Sequence, residues 1–365
     1  MKFSTQSIHV GQKPDISTGA IVPPVYLTST FIQESPGMLK GYDYTRAGNP
    51  NFTNLEKTLS ALEKGKYATV FSSGSGALTA IASTLSYGDT VIAIDDVYGG
   101  TYRLFKQVFE KFGISFKQIS FKDLKEVERN LKLKPKIILL ESPTNPLLKT
   151  VDIVKIARLA KKYNVLTIVD NTFASPYFQQ PLTLGADIVL HSSTKYLGGH
   201  SDLIGGAIIT KDKNFADKMH FARKALGLNP SPFDVWLTSR SLKTLAIRME
   251  KHQENAFAIV KLLKEHSRVK KIYYPGFSGI VSVEFKLSLK QTKKLISSFK
   301  VFSLAESLGG AESLVDHPAS MTHASIPKKE REKFGLNDGL VRFSVGLEDT
   351  TDLIADLRSS LEAVL

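Results

Sequence analysis

Residues 136–171 read KIILLESPTNPLLKTVDIVKIARLAKKYNVLTIVDN. Two apolar runs, KIILL and VLTIV, flank the amphipathic segment VDIVKIARLAKKYN. Unbroken runs of this length are read as strands buried on both faces, and the segment between them as a helix. A strand, a helical crossover and a second strand make the unit that joins parallel neighbours. The alternation continues outward in both directions. The runs are YATVF (67–71), TVIAIDD (90–96), ISFKQIS (114–120), KIILLES (136–142), VLTIVDN (165–171), DIVLHSS (187–193) and GGAIIT (205–210). The expected fold class is therefore α/β, a mainly parallel sheet covered by helices, over residues 55–235.

The ends differ. Residues 1–54 are rich in Pro, Gly, Ser and Thr and read as an N-terminal arm. From 236 onward a long helical pattern reaches His266, two strand runs follow around 269–274 and 281–287, and TTDLIADLRSSLEAVL (350–365) closes as a helix. That predicts a smaller α+β domain over 236–365.

Composition narrows the class. The chain has 365 residues, 42% hydrophobic and 23% charged, which is ordinary globular usage. It has no cysteine, so disulfides and thiolate metal sites are excluded. MKFSTQSIHVGQK carries no apolar stretch of a secretory signal, and no apolar run approaches the roughly 18 residues of a membrane span. The expectation is a cytoplasmic protein without a membrane partner. The net charge of +13 is spread along the chain, densest in the helical-looking 117–136 and broken there by Asp123, Glu126 and Glu128. No nucleic-acid partner is expected; an affinity for small anions fits equally well.

In an open α/β sheet, ligands bind beyond the carboxyl ends of the strands. Five strand ends here carry polar or glycine-rich residues: SSGSGALTA, VYGGTYR, ESPTNP, DNTFASP and HSSTK. FSSGSGALTAI reads as strand, glycine turn and helix, whose first N–H groups and dipole form an anion cradle. The same pattern serves as a plain tight turn. A dinucleotide reading, with Asp95 some twenty residues on, lacks its third glycine because position 79 is Thr. Asp170 after its strand is either a cap or a fixed negative charge under a ligand cation. Lys195 is a surface lysine, a phosphate contact, or an amine activated by partial desolvation. Ser192 and Thr194 flank it at alternate positions, so both hydroxyls can face one phosphate. A phosphate, a lysine imine and a carboxylate under a pyridinium nitrogen are the three demands of pyridoxal 5′-phosphate. His191, His200 and Asp202 have no metal-ligand spacing, so no metal is expected, and there is no GxSxG elbow.

GYDYTRAGNP, SSGSGA, DDVYGGTYRLF, ESPTNP, VDNTFASPYFQ, HSSTKYLGGHSD, SLKTLAIRMEKH, LAESLGGAESL, PASMTHASIP and LVRFSVGLED run almost end to end. In these motifs the chain resembles the Cys/Met-metabolism family of pyridoxal-phosphate enzymes, which carries out transsulfuration. The resemblance implies the fold type I, aspartate-aminotransferase-like architecture. It also implies that Lys195 holds the cofactor as an imine, Asp170 pairs with its ring nitrogen, and Tyr98 stacks on the ring and assists proton transfer. Gly74, Ser75, Ser192 and Thr194 would hold the phosphate, with Thr172 also at the cofactor. Tyr44 and Arg46 would reach the phosphate of a neighbouring subunit, making the protein a homo-oligomer, usually a tetramer. Arg342 would clamp the carboxylate of an amino-acid substrate, helped by Asn145 and Ser307, with Glu306 and Arg103 also on the substrate side. Among activities, Glu306 together with IHVGQ, LNPSPFDVWL and RMEKH favours cystathionine γ-lyase, ahead of γ-synthase and then β-lyase. A non-catalytic relative of the fold is the alternative of another class, opposed by the intact Lys195, Asp170 and Arg342.

Three departures stand out. Ser75 replaces a frequently apolar residue, which leaves a backbone contact intact. Ala47 follows Arg46 where some γ-synthases carry a second arginine. IYYPGFSGIVSVEF has a short connection near Gly276, outside the core motifs.

Overall fold

The structure is a computed structural model and describes residues 1–322, 328–333 and 335–364, so PASMTHASIP is described only as far as Thr322. Numbered in chain order, α1 (Phe3–His9), the short hairpin β1 (Gln33–Ser35) and β2 (Met38–Leu39), and α2 (Pro50–Leu62) come first. The strands β3 (Tyr67–Phe71), β4 (Thr90–Ile94), β5 (Ser115–Ile119), β6 (Ile137–Glu141), β7 (Leu166–Asp170), β8 (Ile188–Ser192) and β9 (Gly206–Thr210) follow. Between and after them lie α3 (Gly74–Ala82), α4 (Gly99–Arg103), α5 (Leu124–Leu131), α6 (Ile153–Lys162), α7 (Ser175–Phe178) and α8 (Lys213–Leu226).

These seven strands form one sheet in the order β3-β9-β8-β7-β6-β4-β5. Every ladder from β8 to β5 is parallel, while β9 is antiparallel to both its neighbours. Two antiparallel steps restore direction, so β3 points the same way as β8. The carboxyl ends of β3, β4, β6, β7 and β8 therefore share one edge. All five residues of β6 are buried, as expected for a strand covered on both faces. In α6, Ile153, Ile156, Ala157 and Ala160 form the buried stripe, and the Asp152 side chain accepts from the Lys155 N–H to cap the helix start. The segment 117–136 is partly strand, since Lys117 lies in β5 and the helix begins only at Leu124.

The second sheet is five-stranded, in the order β10-β11-β14-β13-β12. Its strands are β10 (Val269–Tyr273), β11 (Ile280–Phe285), β12 (Ser303–Leu304), β13 (Leu314–Asp316) and β14 (Leu340–Ser344). It is accompanied by α9 (Pro232–Leu242), α10 (Leu245–Lys264), α11 (Leu289–Ile296), α12 (Lys328–Lys333) and α13 (Thr350–Glu362). The single long helix expected after residue 235 is two helices. At the break, the Ser241 carbonyl accepts from the Thr244 N–H and hydroxyl, both at 3.1 Å, and from Arg248 Nη2 at 3.0 Å. The helical ladder is thus given up where a buried arginine needs a carbonyl. The short connection near Gly276 joins β10 to β11 as a hairpin, with the Phe277 ring 5.4 Å from that of Phe178.

Candidate active site

A cavity of about 320 Å³ lies over the shared strand edge. Ser73–Ser75, Tyr98, Glu141, Asn145, Asp170, Thr172, Ser192, Thr194 and Lys195 come to it from the first sheet, and Glu306, Ser307 and Arg342 from the second. The sites read from the sequence thus meet, except three. Tyr44 and Arg46 line a separate pocket with Leu27, Thr28, Asn229 and Pro232, and Arg46 Nη1 donates to the Lys224 carbonyl at 3.0 Å. Arg103 is exposed and outside the lining; its charge is nevertheless felt by Tyr98. Asp95, the acidic residue of the dinucleotide reading, pairs instead with Lys149 at 3.1 Å.

Lys195 sits in a tight turn just past β8. Gly198 N–H donates to the Ser193 carbonyl and Gly199 N–H to the Lys195 carbonyl, each at 2.8 Å. Gly199 has φ +68°, and a Cβ there would stand 2.1 Å from Arg248 Nη1. That guanidinium, buried in α10, donates to the Tyr196 carbonyl at 2.8 Å and so pins the turn to the second half of the chain. The Lys195 amine donates to the Ser307 hydroxyl at 2.9 Å. Burial, and after it the nearby Arg342 charge, pull its pKa down to about 8, against a smaller upward pull from Glu306.

The anion cradle is formed by the start of α3. Ser73 caps the helix by accepting from Gly76 N–H at 2.9 Å. Helical geometry then leaves the N–H groups of Gly74 and Ser75 for a ligand. A Cβ on Gly74 would lie 2.9 Å from that of Ser192, so glycine is what lets the cradle close onto β8. Ser192 N–H donates to Thr172 Oγ1 at 2.9 Å, and Thr194 Oγ1 exchanges hydrogen bonds with the Gly205 backbone.

Asp170 accepts from Thr172 N–H at 3.0 Å and forms no ion pair among the described residues. Burial raises its pKa above the ordinary carboxylate value. Its ladder partner Glu141 is buried, accepts from Tyr98 N–H at 2.8 Å, and is pushed well up by burial and then by Asp170 itself. Glu141 was missed in the sequence, although it opens the ESPTNP loop that marked a strand end. Thr101 and Phe173 also line the cavity, and nothing in their local pattern singles them out. His191 points to the other face of β8, where its Nε2 meets Glu63 Oε1 at 2.6 Å with both side chains buried.

The family model for the Cys/Met metabolism PLP-dependent enzymes matches residues 4–362. The chain belongs to this family. Its cofactor is pyridoxal phosphate, and the architecture is that of fold type I. The chain is 47% identical to a cystathionine beta-lyase of Coxiella burnetii, over 98% of this chain and 97% of the relative. It is 44% identical to a cystathionine gamma-lyase of Bacillus subtilis over the full length of both. The crystal structure of cystathionine gamma-lyase from Lactobacillus plantarum complexed with L-serine superposes with a TM-score of 0.96 at 43% identity, covering 100% of this chain and 99% of that one.

The cavity suits this cofactor on its own chemistry. A helix N-terminus with open N–H groups and two hydroxyls matches a phosphate, a desolvated lysine matches an aldehyde, and a half-buried carboxylate without a cation among the described residues matches a protonated ring nitrogen.

Proposed function

We propose that this protein is a cystathionine γ-lyase, converting cystathionine and water into cysteine, 2-oxobutanoate and ammonia. The observation that carries the reading is that Lys195 and Arg342 line one cavity, close enough for the arginine charge to act on the lysine, with Glu306 on its wall beside Ser307. An α-amino acid held by its carboxylate at Arg342 presents its α carbon toward the lysine. In this reading the protein is a cytoplasmic homo-oligomer, and Tyr44 and Arg46 of a second copy complete the phosphate site. Their placement outside the cavity of their own chain supports that arrangement.

When bound, pyridoxal phosphate supplies an electron sink for negative charge at the substrate α carbon. In the proposed mechanism Lys195 removes the proton from Cα, releases it to water to become a free amine again, and then removes one from Cβ; its flexible stem lets one amine serve adjacent carbons. Asp170 would keep a proton at the ring nitrogen. Tyr98, with its backbone tied to Glu141, would stack on the ring and deliver a proton to the departing sulfur. Arg342, with Asn145 at 2.7 Å from its Nη1, orients the carboxylate. Glu306 offers a carboxylate to the distal ammonium of the substrate.

The test is to incubate the holoenzyme with cystathionine and measure cysteine and 2-oxobutanoate. Both are expected in equal amounts. Pyruvate and homocysteine instead would indicate β-cleavage. Cystathionine formed from an acylated homoserine and cysteine, without oxo acid from cystathionine, would indicate a synthase. A second expectation concerns cofactor uptake. Because Lys195 stays cationic below about 8, the covalent uptake rate of the cofactor-free protein should climb about tenfold per pH unit below that value and flatten above it. Borohydride trapping followed by mass spectrometry of the Lys195 peptide reads this rate; a flat profile from pH 6 to 9 would contradict the assignment.

A further inference from the structure

Arg342 is held by one group that none of the site motifs includes. Its Nη1 donates to Asn145 Oδ1 at 2.7 Å, and its Nη2 to the Ser307 carbonyl at 3.0 Å and to Asp316 Oδ2. Asp316 and Arg342 face each other as a register pair across the antiparallel β13–β14 ladder. The arginine is 2% exposed and the aspartate 1%. Three of the five guanidinium N–H bonds are thus taken by protein, and Nε has no partner among the described residues. The neutral acceptors Asn145 and Ser307 fix direction but leave the cation uncompensated; Asp316 compensates it where water does not reach. Asp316 Oδ1 has no partner among the described residues either, so within them this carboxylate is committed to the guanidinium.

We propose that Asp316 is the positioning residue for Arg342, fixing the guanidinium plane so that its remaining N–H groups select ligands bearing an α-carboxylate. It touches neither substrate nor cofactor and acts only through Arg342. The inference rests on the reading of Arg342 as the carboxylate clamp. It predicts a loss confined to carboxylate recognition, because Asp316 makes no contact with Lys195 or with the anion cradle.

The experiment uses the holoenzyme and two unreactive probes, glycine and methylamine, titrated by the change in visible absorbance. Asp316→Asn keeps an acceptor and removes the charge. It is expected to weaken glycine by about tenfold, the scale of one buried charge-assisted hydrogen bond, while methylamine shifts by less than about twofold. With substrate, KM should rise far more than kcat falls. Equal weakening of both probes, or unchanged glycine affinity, overturns the proposal. Arg342→Ala is titrated in parallel. If it keeps its preference for glycine, the clamp reading itself falls; if it loses the preference and Asp316→Asn does not, only the role of Asp316 falls. Should Asp316→Asn not accumulate as folded holoenzyme, Asp316→Ser goes through the same titrations with the same criteria.

Discussion

Lys195→Ala is expected to give a colourless protein whose turnover is lower by at least about 10³-fold, since one amine is assigned both the covalent link and the proton transfers. The same variant should not lose stability in its cofactor-free form. Lys195 is desolvated and feels the charge of Arg342, and its pKa is pulled from 10.5 down to about 8. Between those values the unfolded chain binds more protons than the folded one, so stability rises with pH through that window. Below about 8 the folded protein carries the full penalty. Alanine removes it, so near neutral pH cofactor-free Lys195→Ala should melt at the same temperature as wild type or higher. Any gain should shrink as pH rises from about 8 toward 10.5. Visible absorbance, kcat and melting curves across pH check the three parts. A yellow, active Lys195→Ala protein would sink the assignment of the lysine.

Arg342→Ala is expected to raise KM by about 10²-fold, the scale of two charge-assisted hydrogen bonds to a carboxylate partly offset by water. It should also destabilise the protein, by about 3–5 kcal/mol, because Asp316 is left buried without its cation. Burial already holds Asp316 up to about 6 against the downward pull of Arg342. Without the arginine it goes higher. A carboxyl raised in the folded state costs stability as pH rises, so the defect should be larger at pH 8 than at pH 5. Arg342→Ala/Asp316→Asn should recover part of the loss. Denaturant midpoints at the two pH values and KM decide the matter; a double variant no more stable than Arg342→Ala would show that the buried pair is not the cause.

Much of this site is legible along the chain because parallel strands repeat a simple rule. Every apolar run except that of β9 ends on the same edge, so the residues that follow Val70–Phe71, Leu140–Glu141, Val169–Asp170 and Leu190–Ser192 are carried to one place. Lys195, Asp170, Ser192 and the Gly74 turn are found that way before any contact is known. Glu141 is the instructive miss: it is the last residue of a buried strand and looks like a strand terminus, yet its carboxyl receives the Tyr98 N–H. Tyr44 and Arg46 illustrate the opposite limit. Their motif is clear, but the fold of one chain carries them away from the cavity.

The amino-acid sequence alone determined the α/β class, the common edge and the residues that follow each strand, because burial periodicity and strand direction are local properties. The tertiary structure decided what depends on pairing across long separations. It reversed β9, broke the helix at Lys243–Thr244 so that Arg248 could grip the lysine turn, and set Asp316 against Arg342. Those choices follow from satisfying buried carbonyls and charges, which only the assembled neighbours can do.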